Sequence, residues 1–307
     1  MRLHPTGKFD NFARRYGTIE VCPLAAAMGA EVCGVSAARI TEEQFNELRD
    51  ALFRHKMIYL RQQQLTHEAH ERFSLRFGAF AEDAYTSGIA GHRNVHPLIK
   101  EADDRSEMVF GEGWHTDSPF LAEPPSITIL RSVENPSFGG DTMWANAALA
   151  YRMLSDTYRH MIAGLHVHFS LRDVLRSAQQ AVELRDSPIG KLAATRNSEQ
   201  LSEDLQSKIR GNVHPLVRTH PVTGEKSLYV DTSYATGIHG MLPEESAPIL
   251  SYLTDHLTQP AFTCRLRWEP GMLTLWDNRL CVHQAYNDYQ GHRREMYRTT
   301  VVGEKPH

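Results

Sequence analysis

The chain has no apolar run near the roughly 18 residues that a membrane-crossing helix needs. Its first residues, Met1-Arg2-Leu3-His4-Pro5, lack the apolar stretch of a secretory signal, so a cytoplasmic protein is expected. Cysteine is scarce: Cys22, Cys33, Cys264 and Cys281 show no Cys-x-x-Cys spacing, which speaks against a zinc ribbon or a redox dithiol. Free, buried thiols in a reducing compartment are the reading. Neither sign of charge dominates: 33 Lys and Arg against 37 Asp and Glu leave −4, so nothing suggests a nucleic-acid or anionic-membrane surface. Repeats and low-complexity tracts are missing too. What is present is 307 residues with 41% hydrophobic content, read as one domain over 1–307 with a sizeable core. The expected partner is a small-molecule substrate, and the expected assembly a homo-oligomer, dimer or tetramer.

Two short strands are expected within 18–35, broken by Ala25-Ala26-Ala27. Thr41 with Gln44 three residues on reads as a capping box opening a helix to about residue 53. A strand at 57–60 and a helix from Thr66 to Gly78 follow, and 79–113 reads mostly as loop. Strand signals then accumulate at 126–133, 142–145, 166–170, 215–219, 227–231, 263–268, 272–276 and 296–303. Helical patterns occupy 147–154, 156–163 and 244–257, while 172–212 is long, polar and helical only in fragments. Many short strands with helices outside them predict a mainly β fold with flanking helices, a double-sheet jelly roll.

The chemistry concentrates in three stretches. Gly113-Trp114-His115-Thr116-Asp117 places a histidine and a carboxylate two residues apart, and Trp276-Asp277-Asn278-Arg279 leads to His283. On a strand, residues i and i+2 face one side, so His115 and Asp117 can reach one ion, with His283 arriving from elsewhere. Two imidazoles and one carboxylate form the facial triad of non-haem Fe(II), with positions left for an anionic co-substrate and O2. A rival pair, His166-Val167-His168, could bind a metal from one strand face or be two strand histidines with backbone partners. In Arg293-Arg294-Glu295-Met296-Tyr297-Arg298, a strand would turn Arg294 and Arg298 to one side, Arg293 and Tyr297 to the other. An inward guanidinium is costly unless it meets an anion, and arginine suits a carboxylate. The two are about 13 Å apart along a strand, so they cannot clamp one group. Either one holds a co-substrate and the other something farther along, or one is a structural ion pair.

Together with Gly139-Gly140-Asp141-Thr142-Met143-Trp144, these stretches resemble the taurine dioxygenase / 2,4-dichlorophenoxyacetate dioxygenase family of Fe(II)- and 2-oxoglutarate-dependent oxygenases. The likeness runs from Ala30-Glu31-Val32-Cys33-Gly34-Val35 to Gly303. It implies a double-stranded β-helix core, His115, Asp117 and His283 as iron ligands, and Thr142 and Arg294 on the distal carboxylate of 2-oxoglutarate. It also implies hydroxylation of a C–H bond, possible collapse to bond cleavage or desaturation, and release of succinate and CO2. Arg298 matches a position that often meets a substrate anion. Where taurine dioxygenase uses a histidine for the sulfonate, this chain carries Asp83, whose charge would repel one. Arg298 favours carboxylates, sulfonates, sulfate esters and phenoxyalkanoates; Asp83 and Glu82 suit an amine, hence an amino-acid derivative. Tyr234 or Leu171 is expected to wall the pocket, and 79–113 and 172–212 to close it as lids. A zinc hydrolase or a non-catalytic metal-binding jelly roll, serving as sensor or storage module, uses similar ligands but needs no carboxylate clamp.

Overall fold

The computed structural model describes residues 11–83, 88–104, 111–180 and 203–307. In chain order these form β1 (Glu20–Pro23), β2 (Ala30–Cys33), α1 (Glu42–His55), β3 (Met57–Leu60), α2 (His67–Ser74) and β4 (His96–Lys100). Next come β5 (Ile127–Glu134), β6 (Thr142–Asn146), α3 (Ala147–Arg152), α4 (Asp156–Ile162), β7 (His166–Phe169), α5 (Arg172–Gln180) and α6 (Glu203–Arg210). The rest is β8 (Asn212–Pro215), β9 (Val217–Thr219), β10 (Lys226–Leu228), β11 (Ala235–Ile238), α7 (Pro243–Leu257), β12 (Thr263–Leu266), β13 (Leu273–Asp277), β14 (Cys281–Ala285) and β15 (Arg294–Val301).

A seven-stranded sheet in the order β1-β2-β3-β13-β5-β15-β4 is the backbone of the molecule. Its central strands are buried on both faces, and alternation sorts their side chains into two cores. Ile58, Leu60, Ile129, Leu273 and Leu275 pack beneath α1 and α2 with Leu48, Leu52 and Phe73. Met57, Tyr59, Leu130, Trp276 and Met296 point the other way, into a core shared with Trp144, Phe169, Phe262 and Trp268. That second core is closed by three smaller sheets: β12-β6-β14, β11-β7-β8 and β10-β9. The fold is mainly β with flanking helices, and among the described residues no helix is long and apolar enough to cross a membrane.

Local chemistry explains most of the elements. Thr41 and Gln44 form the expected capping box, and Thr66 caps α2 through the Ala69 amide. Several expectations are corrected. Helix α2 ends at Ser74, before Gly78. The run 215–219 splits into β8 and β9 because the chain changes partner at Leu216, whose amide donates to the Leu165 carbonyl ahead of β7 while its carbonyl accepts the Tyr229 amide beyond β10. Strands β4, β11 and β14 had no clear pattern: β14 buries a histidine and trails into half-buried Gln284 and Ala285, which hides the alternation. The four cysteines are free, but Cys22 is exposed and Cys33 half-buried on the β1–β2 ribbon. The two segments read as lids contain β4, α5 and α6; 84–87, 105–110 and 181–202 lie outside the described residues.

Candidate active site

His115 and Asp117 do not lie on a regular strand. His115 makes a single antiparallel bridge to His283, with each backbone N–H donating to the other's carbonyl at 2.9 and 2.7 Å. Directly opposed residues share a face, so the two imidazoles stand together, ring centroids 4.1 Å apart. Thr116, between the expected ligands, is anchored elsewhere: its hydroxyl donates to the Asn278 carbonyl at 2.9 Å and its amide to Asp231 Oδ2 at 3.4 Å. Ser118, at φ 44°, then turns the chain. The result brings one ligand atom each from His115, Asp117 and His283 within 4.8 Å of one another, all three residues buried.

Their protonation suits a divalent cation. His115 Nδ1 donates to the Gly113 carbonyl at 2.7 Å, which leaves Nε2 as the ring nitrogen free to face a metal. Burial pushes His283 down to about 3, so its ring is neutral. Burial opposes ionisation of Asp117, yet the Arg298 guanidinium and the Thr128 hydroxyl hold it below the usual carboxylate range. Asp117 Oδ1 and His283 Nε2 stand 3.9 Å apart, beyond hydrogen-bond reach. Two imidazoles and an ionised carboxylate converge at one point, which fits Fe(II).

Beside the triad, Thr142 on β6 pairs with Ala285 on β14, two residues beyond His283. Its Oγ1 accepts the Trp268 indole N–H at 2.9 Å, leaving the hydroxyl proton for another acceptor. The guanidinium of Arg294 lies 5.9 Å from both the Trp268 and Tyr289 rings. Arg294 is buried, its Nε has no partner, and among the described residues no ion pair neutralises it. Asp141 acts on it electrostatically but is paired with Arg265 at 2.6 Å. Gly140 lines the same space: a Cβ there would sit 3.5 Å from Arg294 Cδ and Nε. A buried cation with no ion pair among the described residues, next to a hydroxyl with a proton to give, suits a carboxylate.

Arg298 faces the same side of β15 as Arg294, as alternation requires. It differs in having partners: Asp83 Oδ2 at 2.5 Å and Asp117 Oδ1 at 3.5 Å. His96, its β4 neighbour, approaches the same Asp83 oxygen at 3.9 Å. Tyr234 is buried with its ring 6.3 Å from that of His115 and 5.2 Å from Phe120; Leu171 is fully buried. The rival pair has backbone and hydroxyl partners instead. His168 Nδ1 meets Thr236 and Nε2 the Arg210 carbonyl, while exposed His166 meets the Gly164 carbonyl. Sequence reasoning passed over Asp231 and Trp268. Asp231 accepts the Ser233, Tyr234 and Ala235 amides on Oδ1, tying Tyr234's loop to Thr116. Neither residue carries a motif, and only contact reveals them.

A family model described as "Taurine catabolism dioxygenase TauD, TfdA family" matches residues 20–300. The α-ketoglutarate-dependent sulfate ester dioxygenase of Pseudomonas putida is 32% identical over 94% of this chain and 91% of its own. The (S)-phenoxypropionate/α-ketoglutarate dioxygenase of Sphingobium herbicidovorans is 29% identical over 93% of this chain and 95% of its own. A crystal structure of a taurine dioxygenase from Burkholderia xenovorans superposes with a TM-score of 0.76 at 34% identity, covering 94% of this chain and 91% of that one. With the His-Asp-His cluster in place, the chain belongs to the TauD/TfdA family and is an Fe(II)- and 2-oxoglutarate-dependent dioxygenase.

Proposed function

We propose that His115, Asp117 and His283 hold Fe(II), that Arg294 and Thr142 take the distal carboxylate of 2-oxoglutarate, and that the site oxidises a small anionic or zwitterionic substrate. The observation that carries this reading is Arg294, a buried guanidinium with no acidic partner among the described residues, beside the triad. When bound, iron and 2-oxoglutarate supply the O2-derived oxidant that hydroxylates a C–H bond, with succinate and CO2 as co-products. The protein's share is positioning. Arg294 and Thr142 orient the co-substrate, the apolar walls at Trp144, Trp268 and Trp276 exclude water, and Tyr234 limits where substrate can lie. The core is read as a double-stranded β-helix, the enzyme as a cytoplasmic homo-oligomer, and the described parts of 79–113 and 172–212 as flanks of closing segments.

Arg298, Asp83 and Tyr234 are assigned to the primary substrate. Sulfonates, sulfate esters and phenoxyalkanoates are the classes named for relatives, and the Arg298–Asp83 pair adds amino-acid derivatives, whose amine and acid can match both charges. Neither a zinc hydrolase nor a storage module would need the Arg294–Thr142 arrangement. The test is a panel of these four classes, measuring succinate formation together with product mass. Substrate-dependent succinate with one added oxygen, or with the matching cleavage product, is expected. A panel in which none of the four classes stimulates succinate formation would contradict the substrate assignment.

A further inference from the structure

An indole N–H can donate but not accept, and this sets the direction of a buried hydrogen-bond chain that ends on Asp117. Trp276 Nε1 donates to Asn278 Oδ1 at 3.0 Å. The orientation of the Asn278 amide follows: Nδ2 donates to Thr128 Oγ1 at 2.8 Å. With that lone pair engaged, the Thr128 hydroxyl gives its one proton to Asp117 Oδ2 at 2.5 Å. Trp276, Asn278 and Thr128 are each at most 2% exposed, so water does not compete. The backbone of Asn278 is held as well: its N–H donates to the Ser126 carbonyl at 2.9 Å and its carbonyl accepts the Thr116 hydroxyl. Trp276 also packs its ring 4.8 Å from that of His283. One tryptophan therefore touches one ligand of the triad and reaches another through two side chains.

The consequence falls on the two carboxylate oxygens. Oδ2 is occupied by Thr128; Oδ1 faces His283 Nε2 at 3.9 Å and Arg298 Nη1 at 3.5 Å. We propose that Trp276, Asn278 and Thr128 are positioning residues that fix the Asp117 carboxylate through Oδ2 and so present Oδ1 to the metal. This rests on the metal-site reading above. Its value is orientation: a carboxylate free to rotate would meet the metal in several poses and hold it less firmly. Outer partners of metal ligands commonly govern affinity by about 10- to 100-fold.

The test uses the metal-free full chain titrated with Mn(II) alone, following free Mn(II) by electron paramagnetic resonance, with metal-free melting temperatures recorded alongside. Thr128→Val should weaken Mn(II) binding by about 10- to 100-fold, and Thr128→Ser should stay within about threefold of the parent. Asn278→Asp should weaken binding as Thr128→Val does although Thr128 is intact, because an acceptor oxygen replaces Nδ2 and draws the Thr128 proton away from Asp117. Parent-like binding by folded Thr128→Val or Asn278→Asp overturns the proposal. So does a loss in Thr128→Ser as large as in Thr128→Val, which would show that packing rather than the proton matters. Asp117→Ala separates the two levels: unchanged Mn(II) binding there removes the metal site itself.

Discussion

Two buried arginines on one strand face illustrate how far residue type alone can be read. Both were candidates for an anion, and only the structure shows that Arg298 has carboxylate partners in the chain while Arg294 has no ion pair among the described residues. Removing one member of a buried charge pair typically costs several kcal/mol, so Arg294→Ala should raise the 2-oxoglutarate KM at least about a hundredfold. An unchanged KM would assign the co-substrate to another residue. Arg298→Ala should instead weaken primary-substrate binding while sparing substrate-free decarboxylation of 2-oxoglutarate; equal loss of both would place Arg298 with the co-substrate or the fold. His115, Asp117, His283 and the arginines were legible because their chemistry is rare. Thr128, Trp268 and Asp231 were not, since a threonine, a tryptophan or an aspartate acquires such a role only through its neighbours.

At the scale of elements, the site depends on registers rather than on any one strand. The backbone bridge between His115 and His283 aligns two of the proposed ligands, and β6 beside β14 carries Thr142 past them. The turn before β6 matters for the same reason. Gly140 sits at φ 68°, and a Cβ there would press on Tyr289 at 3.2 Å while meeting Arg294 at an ordinary contact distance of 3.5 Å. Gly140→Ala should therefore lower the melting temperature through the left-handed backbone and raise the 2-oxoglutarate KM through the crowded Tyr289 ring, over which Arg294 lies. A KM equal to the parent's would show that Arg294 is insensitive to this wall. Elements with local signals, such as the capped α1, were readable from sequence. Strands β14 and β4 were not, because each is specified by long-range pairing and carries buried polar groups, His283 and His96, that break the apolar alternation.

For the whole molecule, the large sheet buries both faces, and titratable groups are trapped with it. Burial pushes His55 down to about 4, helped by Arg54 and Lys56, and His70 down to about 3, helped by Arg131. Their folded values lie below the ordinary 6.5, so the unfolded chain binds their protons first as pH falls. Stability is full above about 6.5 and declines toward the folded values. The metal-free melting temperature should drop between about pH 7 and about pH 4.5, and less steeply in His70→Gln; parallel slopes would remove His70 from the account. The claim that unites these scales is that one His-Asp-His site drives 2-oxoglutarate chemistry. It is tested most directly by measuring succinate formed from 2-oxoglutarate under air by metal-stripped protein with and without added Fe(II), beside Asp117→Ala. The expected result is Fe(II)-dependent succinate in the parent and none in Asp117→Ala, with the variant's circular dichroism unchanged. Succinate formed equally without Fe(II), or by Asp117→Ala at the parent's rate, would contradict it.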